Sequence, residues 1–224
     1  MSVVVVGLSH RTAPLELLER MAMRDERLPK ALGDLMARDF LSEAVVLSTC
    51  HRVEVYVVAE RFHGAMADIR HFLSELSFVP PEDFSDHLYV HYDDAAAPHL
   101  FSVTAGLDSV VVGETQILGQ VRDAWERARQ EEAAGARLSL LFRQALEVGK
   151  RARTETAIAR GITSLSQAAV AMATEHLSGL AGRNVVVLGA GEMGAGLVDE
   201  VAEAAVPGSR VTVANRTWAR AEQL

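Results

Sequence analysis

The 224-residue chain has a single cysteine, Cys50, so no internal disulfide can form and the fold rests on packing. One cysteine suits a reducing compartment, and the cytoplasm is the expected location. Aromatic residues make up only 5% of the chain. No apolar run approaches the roughly 18 residues of a membrane span. The start, MSVVVVGLSHR, lacks a basic n-region and has only a short apolar run, which argues against a signal peptide. Lysine is nearly missing, with 2 Lys against 20 Arg. Arginine suits bidentate contacts to phosphate and carboxylate, although genome composition produces the same bias. The net charge of −8 argues against general affinity for nucleic acid or anionic lipid. One segment opposes this balance: residues 137–160 carry six cations (Arg137, Arg143, Lys150, Arg151, Arg153, Arg160) against Glu147 and Glu155. The segment reads either as a solvated helix face or as a local face for RNA.

The hydrophobic pattern divides the chain. Residues 3–8 read as a buried strand, 27–38 as a helix, 44–49 as a second strand and 52–59 as a third. In the third, Val53, Val55 and Val57 alternate with Arg52, Glu54 and Tyr56. A helix over 64–76 and a strand over 88–92 complete β-α-β-β-α-β, the split βαβ order of ferredoxin-like folds. Beyond about residue 94 the pattern is helical, with Leu118, Val121, Trp125 and Ala128 on one face and Leu138, Leu141, Phe142 and Ala145 on another. Gly161 reads as a helix stop and Thr163 or Ser164 as the cap of the next helix. That helix is expected to bury Leu165, Ala168, Ala169, Met172 and Ala173.

After Gly182 the run Val185–Leu188 reads as a strand covered on both faces. Gly189-Ala190-Gly191-Glu192-Met193-Gly194 follows, a G-x-G-x-x-G turn between a strand and a helix. Its glycines permit the tight turn, the approach of a pyrophosphate and close helix packing, and the helix N-terminus offers N–H groups to phosphate. The next strand, 210–214, ends at Asn215-Arg216-Thr217 with no carboxylate. A carboxylate there would repel a 2′-phosphate, whereas Arg216 would pair with it, so the reading is NADP(H) rather than NAD. The fold class is therefore α/β: an α+β part with a ferredoxin-like sheet and helices, then the first half of a Rossmann-type unit. Only one βαβ unit precedes Leu224, so the sequence is expected to be a fragment of a longer protein.

Cys50 lies where one strand ends and the next begins, beside His51 and Arg52. A neighbouring cation lowers a thiol's pKa, although a lone cysteine is more often an inert core residue. Thiolate together with nicotinamide is the equipment for reducing an acyl group through a thioester.

The chain resembles the glutamyl-tRNA reductases along essentially its whole length. The resemblance is carried by Gly7-Leu8-Ser9-His10-Arg11-Thr12-Ala13-Pro14, by Ser48-Thr49-Cys50-x-Arg52, by Gly106-Leu107-Asp108-Ser109 running on to Val112-Gly113-Glu114-x-Gln116-Ile117-Leu118-Gly119-Gln120-Val121, by Gly149-Lys150-Arg151 with Arg153-Thr154-Glu155-Thr156, and by Gly189–Gly194. It implies a catalytic, glutamyl-tRNA-binding domain over 1–160 and a partial NADPH-binding domain over 161–224. The implied reaction is NADPH-dependent reduction of glutamyl-tRNA to glutamate-1-semialdehyde through a Cys50 thioester, the first step of five-carbon-route tetrapyrrole (porphyrin) biosynthesis. By motif match Cys50 and His99 are the catalytic residues, with His99 a proton carrier or an orienting partner. Thr49, Cys50, His51, Arg52, Ser109, Glu114, Thr115, Gln116 and Gln120 would line the glutamate pocket, with Arg52 on the side-chain carboxylate and Glu114 on the ammonium. Gly189, Ala190, Gly191, Glu192, Met193, Gly194, Asn215, Arg216 and Thr217 would hold NADPH. Implied partners are glutamyl-tRNA, a second copy in the full-length protein and a semialdehyde aminomutase.

Two positions depart from the family's pattern: His51 where Asn is usual and Thr115 where Pro is usual. Neither removes a reacting group. Two other readings stand beside the reductase. A shikimate-type NADP dehydrogenase shares the Asn-Arg-Thr reader but leaves residues 1–160 unexplained. A regulatory module that has lost catalysis is expected to lack the nucleophile.

Overall fold

The computed structural model describes residues 2–204 and 210–224. Its contacts divide the chain into two compact units, one ending at Ile158 and the other spanning Ala159–Leu224.

The first unit begins with β1 (Ser2–Ser9), followed by α1 (Leu15–Met21) and α2 (Leu28–Met36). The antiparallel hairpin β2 (Leu41–Ser48) and β3 (Arg52–Ala59) leads to α3 (Phe62–Ser77), the single turn α4 (Pro81–Phe84) and β4 (Tyr89–Tyr92). The sheet order is β2-β3-β1-β4 with every neighbouring pair antiparallel, the split βαβ arrangement. Helix α1 has no counterpart in the sequence reading; it buries Leu17, Leu18 and Met21, a short stripe in a seven-residue segment. Strand β2 starts three residues earlier than expected, with an irregularity between Leu41 and Glu43, and Thr49 belongs to the turn rather than the strand.

Three helices complete the unit: α5 (Ala96–Ala105), α6 (Gln116–Gln130) and α7 (Ala136–Glu155). They explain why every residue of β3 is buried, including the polar set Arg52, Glu54 and Tyr56. The alternation in β3 thus separates two buried faces rather than core from solvent. Tyr56 meets Phe142 of α7 edge-on at 5.2 Å between ring centroids.

The second unit holds α8 (Leu165–His176), β5 (Asn184–Leu188), α9 (Glu192–Ala204), β6 (Arg210–Ala214) and α10 (Trp218–Glu222). β5 and β6 pair in parallel, the start of a Rossmann-type arrangement. The Ser164 side chain caps α8 by accepting from the Gln167 N–H, and Gln167 Oε1 accepts from the Thr163 N–H, so both residues proposed as the cap take part. Two expectations fail here. α8 buries Ser166 and Val170, whereas Met172 is 71% exposed and Ala169 and Ala173 are exposed. β5 is not covered on both faces, since Leu188 is 82% exposed and only Val187 is buried. The physical reason is a small core of Val170, Leu180 and Val201, to which a two-stranded sheet presents one side.

Candidate functional site

Cys50 stands at the tip of the β2–β3 hairpin. The Thr49 N–H donates to the Arg52 carbonyl at 2.8 Å, and the Thr49 hydroxyl accepts from the His51 N–H at 3.2 Å, the local bonding that suits Thr to a turn. The His10 N–H donates to the His51 carbonyl at 2.9 Å, which ties the tip to the end of β1. Cys50 is exposed, and its Sγ lies 3.0 Å from His51 Nδ1. The His10 ring meets the His51 ring edge-on, with centroids 6.2 Å apart. Burial, then the charge of Arg52, pushes the His10 pKa below its ordinary value.

The hairpin brings Thr49, Cys50, His51 and Arg52 to one pocket, where Ser109, Glu114 and Gln120 meet them from the loop before α6 and from α6 itself. Val110 and Ile117 also line it, apolar residues that the motif match does not assign. Thr115 and Gln116 do not line it. Thr115 is the N-cap of α6 and Gln116 its first residue, and both are exposed. The open space is about 10 Å³, room for about one water.

The loop that closes this pocket depends on backbone geometry and on one arginine. Gly113 has φ +85°, and a Cβ on it would stand 1.8 Å from the Ile158 carbonyl oxygen, so only glycine fits. Arg153 donates to the carbonyls of Thr104, Gly149 and Glu114 at 2.8–2.9 Å. It therefore holds the loop against α5 and α7 and does not belong to an open basic face. Arg151 is exposed but paired with Glu155.

Beneath Cys50 lies a buried polar cluster. Arg52 is 2% exposed and Glu54 fully buried, with Nη1 donating to Glu54 Oε1 at 2.7 Å. Arg52 Nη2 donates to the Asp108 carbonyl at 2.6 Å and to Asp108 Oδ2 at 3.0 Å. Tyr56 and Tyr89 donate their hydroxyls to Glu54, and His99 Nε2 lies 2.8 Å from Glu54 Oε1. Burial opposes ionisation of Glu54, but the His99 hydrogen bond and the Arg52 charge outweigh it and hold the carboxyl down at about 2. Burial and the Glu54 charge push the Tyr89 and Tyr56 hydroxyls well up. Three of the five N–H donors of Arg52 are thus held by protein oxygens. Sequence reasoning missed Glu54 and Asp108. An Arg-x-Glu pair on one strand was the available signal, because two charges on the same face of a covered strand must pair.

His99 does not line the Cys50 pocket. It lies in a neighbouring cavity, stacked on His91 with ring centroids 4.1 Å apart, and is linked to Arg52 through Glu54. Among the described residues no group of three or more His, Cys, Asp or Glu is placed to hold a metal ion.

In the second unit, Gly189 has φ +106° and its N–H donates to the Ala214 carbonyl at 2.8 Å, which fixes the turn to the end of β6. A Cβ on Gly194 would stand 2.1 Å from the Gly189 oxygen, so the start of α9 packs directly on the turn. Among the described residues, none beyond its chain neighbours lies within 4 Å of a Cβ built on Gly191, the open cradle a pyrophosphate requires. The Ala190 N–H donates to Asn215 Oδ1 at 3.3 Å, so the glycine turn and the end of β6 meet. Glu192 and Met193 begin α9, while Arg216 and Thr217 are exposed beside Asn215.

Residues 6–156 match the family described as Glutamyl-tRNAGlu reductase, N-terminal domain, and residues 171–224 match the family described as Shikimate / quinate 5-dehydrogenase. The chain is 52% identical to a glutamyl-tRNA reductase of Salinispora arenicola over 87% of its length and 43% of that protein. It is 42% identical to one of Paenibacillus macerans over its whole length and 51% of that protein. Among solved structures, the glutamyl-tRNA reductase from Methanopyrus kandleri superimposes with a TM-score of 0.63 at 36% identity, covering 99% of this chain and 51% of that one. The chain spans about half the length of the curated relatives it matches. Among the described residues no helix is long and apolar enough to cross a membrane.

Proposed function

The chain belongs to the glutamyl-tRNA reductase family, and on that premise we propose that Cys50 takes the glutamyl group from glutamyl-tRNA as a thioester. The observation that carries this reading is the Cys50 Sγ–His51 Nδ1 contact of 3.0 Å at an exposed hairpin tip. The imidazole takes the thiol proton, and the thiolate attacks the ester carbonyl. The ester C–O bond breaks, the ribose oxygen leaves with a proton, and the glutamyl group stays on sulfur. Cysteine suits this role because its thiolate is accessible near neutral pH and a thioester is reducible where a carboxylate is not. Glu114 meets the substrate ammonium, and the donors of Arg52 not held by Glu54 and Asp108 meet its side-chain carboxylate. Thr49, Ser109 and Gln120 complete the pocket, whose walls must part to admit the glutamyl group.

NADPH is the proposed cofactor, and when bound it supplies the hydride that takes the thioester to glutamate-1-semialdehyde. Gly189–Gly194 would hold the pyrophosphate, with open space at Gly191, and Arg216 would pair with the 2′-phosphate beside Asn215 and Thr217. The resemblance further supports a cytoplasmic enzyme at the first step of tetrapyrrole synthesis, a homodimer in the full-length protein, and a semialdehyde aminomutase as partner. A shikimate-type dehydrogenase has support over 171–224 only.

The test incubates the chain with glutamyl-tRNA carrying labelled glutamate, quenches in acid and maps the label by peptide mass. Label on the Cys50 peptide, lost in Cys50→Ser, is the expected result. A fully deacylated tRNA with no labelled Cys50 peptide at any time rejects the thioester.

A further inference from the structure

His10 follows the last residue of β1, and its ring nitrogen Nδ1 is shut off from solvent with no hydrogen-bond partner among the described residues. A buried polar atom without a partner is uncommon and calls for a reason. The turn that carries it is tightly bonded. The Thr12 and Ala13 N–H groups both donate to the Ser9 carbonyl at 2.9 Å, and the Ser9 N–H donates to the Thr12 hydroxyl at 3.1 Å. The His10 N–H donates to the His51 carbonyl, so this turn and the hairpin tip hold each other. The two rings then meet with their planes 84° apart and their centroids 6.2 Å apart. Three side chains thus stand in a row: Cys50, His51 with its Nδ1 3.0 Å from the sulfur, and His10 beyond.

We propose that His10 is a positioning residue for the acyl transfer, its Nδ1 accepting a hydrogen bond from His51 Nε2–H while His51 Nδ1 faces Cys50. The inference rests on the acyl-transfer reading, in which His51 is the base. The row is then nucleophile, base and orienting group, the arrangement that activates a weak nucleophile. At 6.2 Å between centroids the rings stand just beyond direct bonding. A small rotation of the His51 side chain, or one water between the rings, closes the gap. The bond fixes the His51 tautomer with its hydrogen on Nε2, which leaves Nδ1 bare for the thiol proton. That proton passes from Sγ to His51 Nδ1 as the C–S bond forms, and from Nδ1 to the ribose oxygen as the ester C–O bond breaks. His10 gains and loses no proton; it holds the imidazolium between the two steps. An acceptor in this place must be neutral. Burial, then Arg52, push the His10 pKa down; Asp108 opposes them, and Arg11 and His51 add to them. On the other side of His51, the ionisable side chains of its pocket are Cys50, Arg52 and Glu114.

The test compares His10→Phe, which keeps a ring but no acceptor, with His10→Asn, whose Oδ1 takes the place of Nδ1. The readout is alkylation of Cys50 by iodoacetamide across pH. His10→Phe should slow it about tenfold at pH 7, the lower end for one hydrogen bond to a charged group, and should move the pH midpoint upward. His10→Asn should stay near the parent chain. In a His51→Asn background His10→Phe should change nothing further, because its effect runs through His51. In acyl transfer from glutamyl-tRNA, His10→Phe should lower kcat about tenfold with KM little changed. Equal slowing in both backgrounds, equal slowing in His10→Phe and His10→Asn, or no slowing at all overturns the proposal. Nitrogen NMR of the parent chain tests it without any variant: His10 Nδ1 should carry no proton at pH 7, and a protonated Nδ1 rejects it. If the alkylation pattern holds but saturating glutamyl-tRNA never acylates Cys50, the acyl-transfer reading falls and the positioning role stands. If Cys50 is acylated equally fast in His10→Phe and the parent, the positioning role is rejected and the acyl-transfer reading survives.

Discussion

Gly7 lies opposite Glu54 in the β1–β3 ladder, and a Cβ on Gly7 would stand 2.7 Å from Glu54 Cγ and 2.8 Å from the Val53 carbonyl oxygen. The glycine makes room for a carboxylate that four side chains hold: Arg52, Tyr56, Tyr89 and His99. Gly7→Ala is expected to overpack this point and to cost about 1–3 kcal/mol of stability, because the backbone on one side cannot yield. Urea unfolding of the first unit checks it. An unchanged midpoint would mean that Glu54 has space the structure does not give it.

The same carboxylate sets a pH dependence. Its pKa in the fold, about 2, lies below the ordinary 4.5, so between these values the unfolded chain binds the extra proton. The stability from Glu54 is therefore complete above about pH 4.5 and is lost as the pH falls towards 2. The full loss amounts to about 3 kcal/mol. Glu54→Gln should be less stable at pH 7 and should show a flatter fall over this window. Parallel curves for the two proteins would place the titrating group elsewhere.

Much of the fold is legible in the chain because local periodicity and long-range packing agree. Strand β3, the helices α6 and α7, and the Gly189–Gly194 turn all carry patterns that their packing uses. Helix α1 is missed because seven residues hold barely two turns of pattern. The exposed face of β5 is missed because a run of valines reads the same whether one face or both are covered. At the site, motif order brings Cys50, Ser109, Glu114 and Gln120 to one pocket, yet nothing local tells that Arg52 is already gripped by Glu54 and Asp108. Nor does spacing reveal that His99 faces a different cavity, since that depends on where α5 crosses the sheet. Arg153 teaches the converse. It sits in a run of basic residues, but three backbone carbonyls claim it.

Arg216 is exposed at the end of β6, next to the Asn215 side chain that holds the glycine turn. If it reads a 2′-phosphate, Arg216→Ala in the full-length protein should weaken NADPH binding by about 1.5–3 kcal/mol, the range for hydrogen bonds to a charged group. NADH binding should hardly change. Calorimetric titration with both cofactors decides, and equal weakening would show that Arg216 does not distinguish them.

The last expectation concerns the pair at the hairpin tip. Cys50 Sγ and His51 Nδ1 are 3.0 Å apart, and the family's usual residue beside the cysteine is Asn, which cannot take a proton. On the proposed mechanism, His51 would give this chain a local base that the usual sequence lacks. In His51→Asn the thiol loses that base while the turn keeps its backbone bonds from Thr49 to Arg52 and from His10 to position 51. Alkylation of Cys50 by iodoacetamide at pH 7 should slow about a hundredfold, the lower end of what a positioned base contributes. The deficit should shrink as the pH rises and hydroxide takes over deprotonation. Cys50→Ser, which should not react at all, supplies the blank. An alkylation rate and pH profile identical in His51→Asn and the parent chain would mean that the short contact is packing alone, and that the thiol is activated from elsewhere in its pocket.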